Sequence, residues 1–483
     1  MLALVTVGRF TVFRNEVALP SIPDGKDKPI AHCTGKGMMI RNRALVPIVL
    51  AMILSGTGAK AAEEAPPSYS ETTLTGDWND YRSWLRDKGV IFTITQTSDW
   101  LGNVSGGVRT GTAYDGVFQL QGDFDMDRLT GWTGGKIHIS GYAIQGEGLS
   151  KRDLGNLLTV TSVEADSSVR LGEFYISQSL MKDSVTLKIG QILADQNFAI
   201  SNTAGLFVNS TFGFPGLFAV DLPEGGPAYP FAAPGGQIIV KPDDAWTLQA
   251  AVFNGRPTTD ANGLGVSLGD GVLAIAEASY AYTPAKGDPG LPGTYKIGMW
   301  YNSETFDSLS TASNGISLAS PVASGSPMRL SGNYAIYAVA DQTLWQEPGS
   351  SDNGLNGFVR VAIAPEQDRN SIYWYVDMGM TYKGLLPGRN NDTAGIGFAY
   401  AKMSDGVSNL AKADIAFSGM SQPIPDYEAV IEVTYQTQVT QWLAVQPFFQ
   451  YIIHPGGNAA DPNNPGSAIG NAAVFGLRTA VTF

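Results

Sequence analysis

Cysteine is almost missing from this chain: Cys33 is the only one among 483 residues, and histidine occurs three times. Disulfides can therefore contribute nothing to its order. A zinc-type centre has no cluster of His and Cys ligands to draw on. Serine chemistry would have to be built on His138 or His454, the two histidines beyond residue 61. Charged residues make up only 16% of the chain, and the 44 acidic ones outnumber the 31 basic ones. That balance does not suit nucleic acid. No segment after Ala62 has the roughly twenty consecutive apolar residues that a helix needs to cross a bilayer. Only a barrel could place this chain in a membrane.

What is present begins at the carboxyl end. In Ala472–Phe483 the residues Phe483, Val481, Thr479, Leu477, Phe475 and Ala473 share one face, with Thr482, Ala480, Arg478, Gly476 and Val474 on the other. A period of two marks a strand. A strand running to a terminal aromatic is the expected closing strand of an outer-membrane barrel. The last strand of a soluble sandwich would alternate in the same way.

Near the amino end, Met39–Arg43 is basic, Ala44–Leu54 is an apolar run, and Ala59 and Ala61 are small. This is the layout of a secretory signal over 38–61, cleaved after Ala61 or Ala62. Residues 1–37 then read as an extension from a start codon assigned too early, or as a genuine long amino terminus. Residues 1–61 hold eight Lys or Arg and three Asp or Glu, so the remaining 422 carry 23 basic against 41 acidic side chains, a net charge of −18.

Sixteen segments of about ten residues alternate, from Val90–Thr97, Gly116–Asp127, Lys136–Ile144 and Val169–Gln178 through to Trp442–Ile453 and Ala472–Phe483. Their connections tend to alternate long (98–115, 145–168, 194–235, 255–270, 304–332, 365–370, 404–425, 454–471) and short, with few exceptions. These features predict an all-β fold, a transmembrane antiparallel β-barrel of about 16 strands over 90–483. A short amphipathic helix in the periplasmic segment 62–89 is expected from Asp77 as cap and from Trp78, Tyr81, Trp84 and Leu85 at helical spacing, ending at Gly89.

A barrel of this size encloses water, so inward-facing side chains become the candidates for solute contact. Gln121, Asp123, Asp125 and Asp127 share a face, and pairing across 128–135 is expected to set Asp127 opposite Lys136 and Asp125 opposite His138. Arg170 and Glu173 would fall on opposite faces unless Gly172 hosts a bulge; with it, Arg170, Glu173 and Tyr175 face inward together. Arg360, Gln446, Gln450, Asn302 and His454 also fall on inner faces, as does Trp300 unless its ring belongs to the outer girdle. An aromatic ring beside amides and carboxylates suits a sugar. For any one of these residues, wall charge that merely keeps water in the lumen is the competing reading. The connection 194–235, rich in Gly, Pro and aromatics, is too apolar to wave in water. Folded inward it narrows the pore, with Asn202, Asn209, Asp221 and Tyr229 as contacts; packed over the rim, it does not.

Several blocks resemble the carbohydrate-selective porin family of the OprB type. They are LTGDWNDYRSWLRDKGV (74–90), YDGVFQLQGDFDMDRLTGWTGGKIHISG (114–141), LGNLLTVTSVEA (154–165), RLGEFYISQ (170–178), LKIGQILADQNFA (187–199), LFVNSTFGFPGLFAVDLPEGGPAYPFAAPGG (206–236) and WTLQAAVFNG (246–255). The resemblance implies a bacterial outer-membrane channel for sugars such as glucose, a monomer rather than a trimer. It also implies loops around an electropositive or mixed-charge eyelet, and a terminal aromatic read by the barrel-assembly machinery. Its partners are then sugars and outer-membrane lipid, with no cofactor, metal or nucleic acid. A general or cation-leaning porin without a sugar site is the alternative. An enzyme built in a barrel and a plugged, energy-coupled receptor are less well served, the latter because only about 28 residues separate Ala62 from Val90.

Overall fold

A computed structural model describes residues 69–284, 290–350 and 352–483. The expected signal and extension lie outside them. Sixteen strands close into one antiparallel barrel. In chain order they are β1 (Val90–Gly107), β2 (Gly111–Asp125), β3 (Gly135–Gly146), β4 (Ser168–Leu180), β5 (Val185–Ile192) and β6 (Ala233–Val240). Then follow β7 (Trp246–Asn254), β8 (Val272–Tyr282), β9 (Gly293–Ala312), β10 (Pro327–Gln346) and β11 (Gly354–Ile363). The last are β12 (Ile372–Lys383), β13 (Thr393–Met403), β14 (Tyr427–Thr440), β15 (Leu443–Ile453) and the closing strand β16 (Gly470–Thr482). Each pairs with its chain neighbours, and β16 returns to β1 with Thr95 opposite Thr482 and Asp99 opposite Arg478.

The outer face is apolar and exposed, as Ile189, Ile297, Met380 and Ile396 illustrate. Such a surface is stable only against lipid. Aromatic pairs bound it at both ends: Trp246–Tyr280 and Trp345–Tyr382 near the short turns, Trp374–Tyr400–Tyr427 and Trp100–Tyr114 near the loops. No described helix is long and apolar enough to span a membrane.

Two expected loops are largely strand. Residues 98–115 and 304–332 continue the ladders, to Asn103 opposite Gly111 and Ala312 opposite Pro327. Backbone pairing extends past the lipid band, where neither face must be apolar, so alternation fades before the strand does. The connection 404–425 holds a helix, Asp405–Ser418, begun by Ser404 and stopped at the left-handed Gly419.

The amino-terminal helix is Tyr81–Asp87, starting later than expected because Trp78, Asn79 and Asp80 form a left-handed turn. Asp77 accepts from the Ser83 amide (2.7 Å) and hydroxyl (2.6 Å). Tyr81 and Trp84 stack on each other in the open. The helix is held by Arg82, which lies buried between the rings of Tyr69 and Trp78. Arg82 donates to the Phe483 carbonyl (2.8 Å) and the Phe92 carbonyl (3.0 Å), bridging the β1–β16 seam. The Leu74 amide adds a bond to the Thr482 carbonyl (2.8 Å).

Candidate functional site

The connection between β5 and β6 folds into the barrel. It carries Phe198, Phe207, Phe212, Leu217, Phe218 and Leu222, all buried, and such a segment can shed water only by packing on a wall. Phe218 meets Trp300 and Tyr337 edge-on, and Phe207 and Phe212 pack on Phe358. Gly397 of β13 makes room for this: a Cβ there would come within 2.9 Å of both Phe207 and Phe212.

An irregular loop in a dry interface leaves its backbone groups without a ladder, and they need other partners. Inward side chains of β8–β15 supply them. Glu277 accepts from the Ala199 amide (2.8 Å), Asp341 from the Ser201 hydroxyl (2.6 Å) and Thr203 amide (3.1 Å), and Glu432 from the Val208 (2.7 Å) and Asn209 (2.9 Å) amides. Arg360, paired with Asp377, donates to the carbonyls of Ala199 (2.7 Å), Thr211 (2.8 Å) and Phe212 (3.0 Å). Gln446 donates to the Leu206 carbonyl (2.8 Å). The loop's own Asp221 accepts from the Ser371 (2.8 Å) and Ile372 (3.1 Å) amides.

A second loop, between β3 and β4, folds in beside the first. Glu428 accepts from the Leu157 (2.8 Å) and Leu158 (2.7 Å) amides, and Gln450 donates to the Val160 carbonyl (2.8 Å). Asp99 holds Arg478 (2.8 Å at both nitrogens) and the Thr161 hydroxyl. The loops join directly: the Ser162 amide donates to the Val208 carbonyl (3.0 Å) and the Ser210 amide to the Thr159 carbonyl (2.9 Å). Two loop carboxyls are crowded by protein. Burial pushes Glu164, which accepts from the Ser150 and Lys151 amides, up to about 7. It does the same to Asp195, which accepts from the Tyr229 amide.

This arrangement divides the sequence candidates. Trp300, Arg360, Gln446 and Gln450 face inward but are buried behind the loops, where the last three hold loop backbone and Trp300 packs on Phe218, so none can touch a passing solute. Asn209 and Asp221 are likewise buried anchors, whereas Asn202 is exposed and Tyr229 is half-buried, its hydroxyl donating to the Val163 carbonyl (3.2 Å).

On β2 and β3 the register differs by two from the expected one. Asp123 stands opposite His138 (Oδ1 to Nδ1 2.7 Å) and Asp125 opposite Lys136. Asp125 ends β2 by capping the helix Met126–Thr130, and this lifts Asp127 out of the ladder onto an exposed turn. Gln121 pairs with Ser140 on the inner face. A bulge does form on β4, where Gly172 and Glu173 together oppose Ser140, so Arg170, Glu173 and Tyr175 face inward. Glu173 accepts from the Leu193 amide (2.9 Å) and Arg170 donates to the Thr258 carbonyl (2.9 Å). His138 from β3 stacks on Tyr175 at 4.9 Å, and the Lys188 ammonium from β5 lies 5.1 Å from the centre of the same ring, so the partly buried Tyr175 is already engaged by protein.

The anchoring carboxylates Asp99, Glu277, Asp341, Asp377, Glu428 and Glu432 were not among the candidates. Their signal was an acid on the inward row of a strand with no basic neighbour in sequence, visible in Glu428 and Glu432 four residues apart. The string Gly265-Val-Ser-Leu-Gly269 fits the pattern of a serine-hydrolase elbow, but it is an extended exposed segment whose Ser267 hydroxyl donates to Asp270 (2.5 Å). An elbow needs a strand, a turn and a helix. His138 and His454 are held by Asp123 and Asp426. Among the described residues no three His, Cys, Asp or Glu gather as a metal site.

Comparison with known proteins follows the same line. The family profile described as carbohydrate-selective porin, OprB family, matches residues 109–483. Porin B of Pseudomonas aeruginosa is 25% identical over 458 residues, covering 89% of this chain and 94% of that protein. The putative porin QuiX of Acinetobacter baylyi is 22% identical over 422 residues, covering 80% and 89%. The high-pH structure of Pseudomonas putida OprB superposes with a TM-score of 0.77 at 24% identity, covering 86% of this chain and all of that one. A closed 16-strand barrel with lumen-filling loops, matched over most of its length by this profile, places the chain in the OprB family of carbohydrate-selective porins, channels of the bacterial outer membrane.

Proposed function

We propose that the protein conducts monosaccharides such as glucose, and similar small polar solutes, by passive and weakly selective diffusion along the inner face of β1–β3. The observation that carries this reading is the one-sidedness of the lumen. Most polar anchors of the two loops come from strands β8 round to β16 and the adjacent Asp99, with Glu173 of β4 and Gln249 of β7 holding the start of the β5–β6 loop and Asp115 of β2 the Gly148 amide, whereas Thr93, Thr95 and Thr97 of β1, Gln119, Gln121 and Asp123 of β2 and Lys136 of β3 keep contact with water. The Asp123 side chain is 52% exposed. Hydroxyls and amides both donate and accept, so they can exchange bonds with a sugar's hydroxyls one at a time. Contacts that weak let a solute leave as readily as it enters.

A cation-leaning channel without a sugar site is the second reading, favoured by Asp123 and by the −18 charge beyond residue 61. Purified protein in planar bilayers separates the two. Glucose should reduce ion conductance in a saturable way with millimolar affinity, and no block over a wide concentration range would remove the sugar site. Deleting 206–230 should raise single-channel conductance. The single chain closes its own barrel and lumen, which supports a working monomer. Phe483 beside the seam is the residue through which assembly factors would engage the last strand.

A further inference from the structure

The barrel wall has a notch. β5 and β6 are eight residues each, the shortest of the sixteen strands. Above the pair Phe174–Gln191, residues 168–173 of β4 have no β5 partner. A segment from the β7–β8 connection crosses this gap. The Leu171 amide donates to the Asn262 carbonyl (2.9 Å), the Gln191 side chain to the Gly263 carbonyl (2.9 Å), and the Thr258 amide to the Ala232 carbonyl (3.0 Å). Gln191 pairs with the lipid-facing Phe174 and lies on the outer row, while the inward Arg170 donates to the Thr258 carbonyl, so the strap fills the gap in the wall itself and is held from both faces.

Gly263 is pressed to the barrel at φ +67°, where a Cβ would sit 2.6 Å from the Leu171 carbonyl oxygen. Beyond it the Leu264 and Gly265 amides donate back to Asp260, and Leu264 is 64%, Val266 64% and Leu268 77% exposed. Between Asn262 and Gly269 there is no charged residue. On the outer row beside the strap stands Val169, 77% exposed, and below it Phe174, Ile176 and Ile189 continue the apolar surface.

We propose that Leu264, Val266 and Leu268 are buried in the acyl chains of the adjoining lipid leaflet, so that the strap both closes the notch and anchors this rim to the membrane. The patch is continuous with rows that already face lipid, and exposure of aliphatic side chains to water at this density is costly. A second copy of the chain fits less well. Three aliphatic side chains fall far short of the roughly 1,000 Å² that a specific protein interface buries. The proposal is independent of which solute the channel carries.

The test uses the full-length protein in lipid vesicles. Cys33 is changed to Ser, and Val266→Cys carries an environment-sensitive fluorophore; Leu268→Cys serves if the first variant folds poorly. Asn314→Cys, on an exposed loop, is the water-facing control. The Val266 label should emit to the blue of the control, be quenched severalfold more by lipids brominated on their acyl chains, and resist iodide. Iodide quenching equal to the control would overturn the proposal. So would resistance to both quenchers together with disulfide-linked dimers through position 266, which would assign the patch to a second copy.

Discussion

The inner faces of β8–β15 and of β1–β3 are built from the same kinds of residue, and they do opposite work. On β8–β15, Glu277, Asp341, Arg360, Asp377, Glu432, Gln446 and Gln450 are buried and bonded to loop backbone or to each other. On β1–β3, Thr95, Gln119, Gln121 and Asp123 remain wet. Polarity on an inward row therefore does not identify a solute contact. What separates the halves is whether an apolar loop has displaced the water, after which each polar group must find a protein partner or stay unsatisfied.

Changes on the covered half should cost stability, and changes on the open half should cost selectivity. The largest effect is expected for Arg360→Met. It leaves Asp377 buried without its cation and frees four loop carbonyls, those of Ala199, Thr211, Phe212 and Gly213. Losing one member of a buried pair costs about 3–5 kcal/mol. Urea unfolding should shift accordingly, proteolysis within 194–235 should accelerate, and conductance should rise as the loop loosens. Full stability in this variant would break the comparison. Gly397→Val should act similarly by colliding with Phe207 and Phe212.

An intermediate effect is expected at the seam. Arg82→Ala removes the bonds to Phe483 and Phe92, and at about 1.5–3 kcal/mol for hydrogen bonds to a charged group it should lower the temperature at which the barrel unfolds on a gel. Sugar block should be unchanged, because Arg82 bonds the backbone of β1 at Phe92 and not its inward side chains. Asp123→Asn should move stability by less than about 0.5 kcal/mol. Its mark should be a fall in the cation-to-anion permeability ratio, read as a reversal potential in a salt gradient.

The smallest effect concerns pH. Asp195 and Glu164 are raised to about 7 by burial, so the folded loops bind protons that an unfolded chain releases above about 4. Their ionisation is unfavourable in the fold. The penalty is present above 7 and is relieved as pH falls through 7 towards 4. Protease resistance of the loops should therefore be greater at pH 6 than at pH 8. In the double variant Asp195→Asn, Glu164→Gln that difference should vanish.

Much of the architecture was legible in the sequence, because a strand between lipid and water must alternate. Every one of the sixteen segments is a strand, and the bulge at Gly172 could be anticipated from two like-facing residues at odd spacing. The register between β2 and β3 could not, since Asp125, opposite Lys136, ends the ladder by capping a helix that carries Asp127 away, and only the cap's bonds reveal it. Trp300, Arg360, Gln446 and Gln450 were placed on the correct face. Their burial depends on where residues 194–235 settle, a long-range packing choice with no local signature. The loop before β4 carries no comparable sequence signal, because Leu157, Leu158, Val160 and Val163 are few and the groups that hold it, Glu428 and Gln450, lie far away along the chain.

Thiol accessibility inside the conducting channel tests the central claim most directly. In a Cys33→Ser background, Gln121→Cys on the open wall and Ala399→Cys on the covered wall are exposed to a small charged thiol reagent during single-channel recording. Gln121→Cys should react within seconds to minutes with a stepwise drop in conductance, while Ala399→Cys, buried beneath the loops, should stay unmodified. Equal reaction at both positions would mean that solutes reach the β8–β15 wall, and the division of the lumen described above would be wrong.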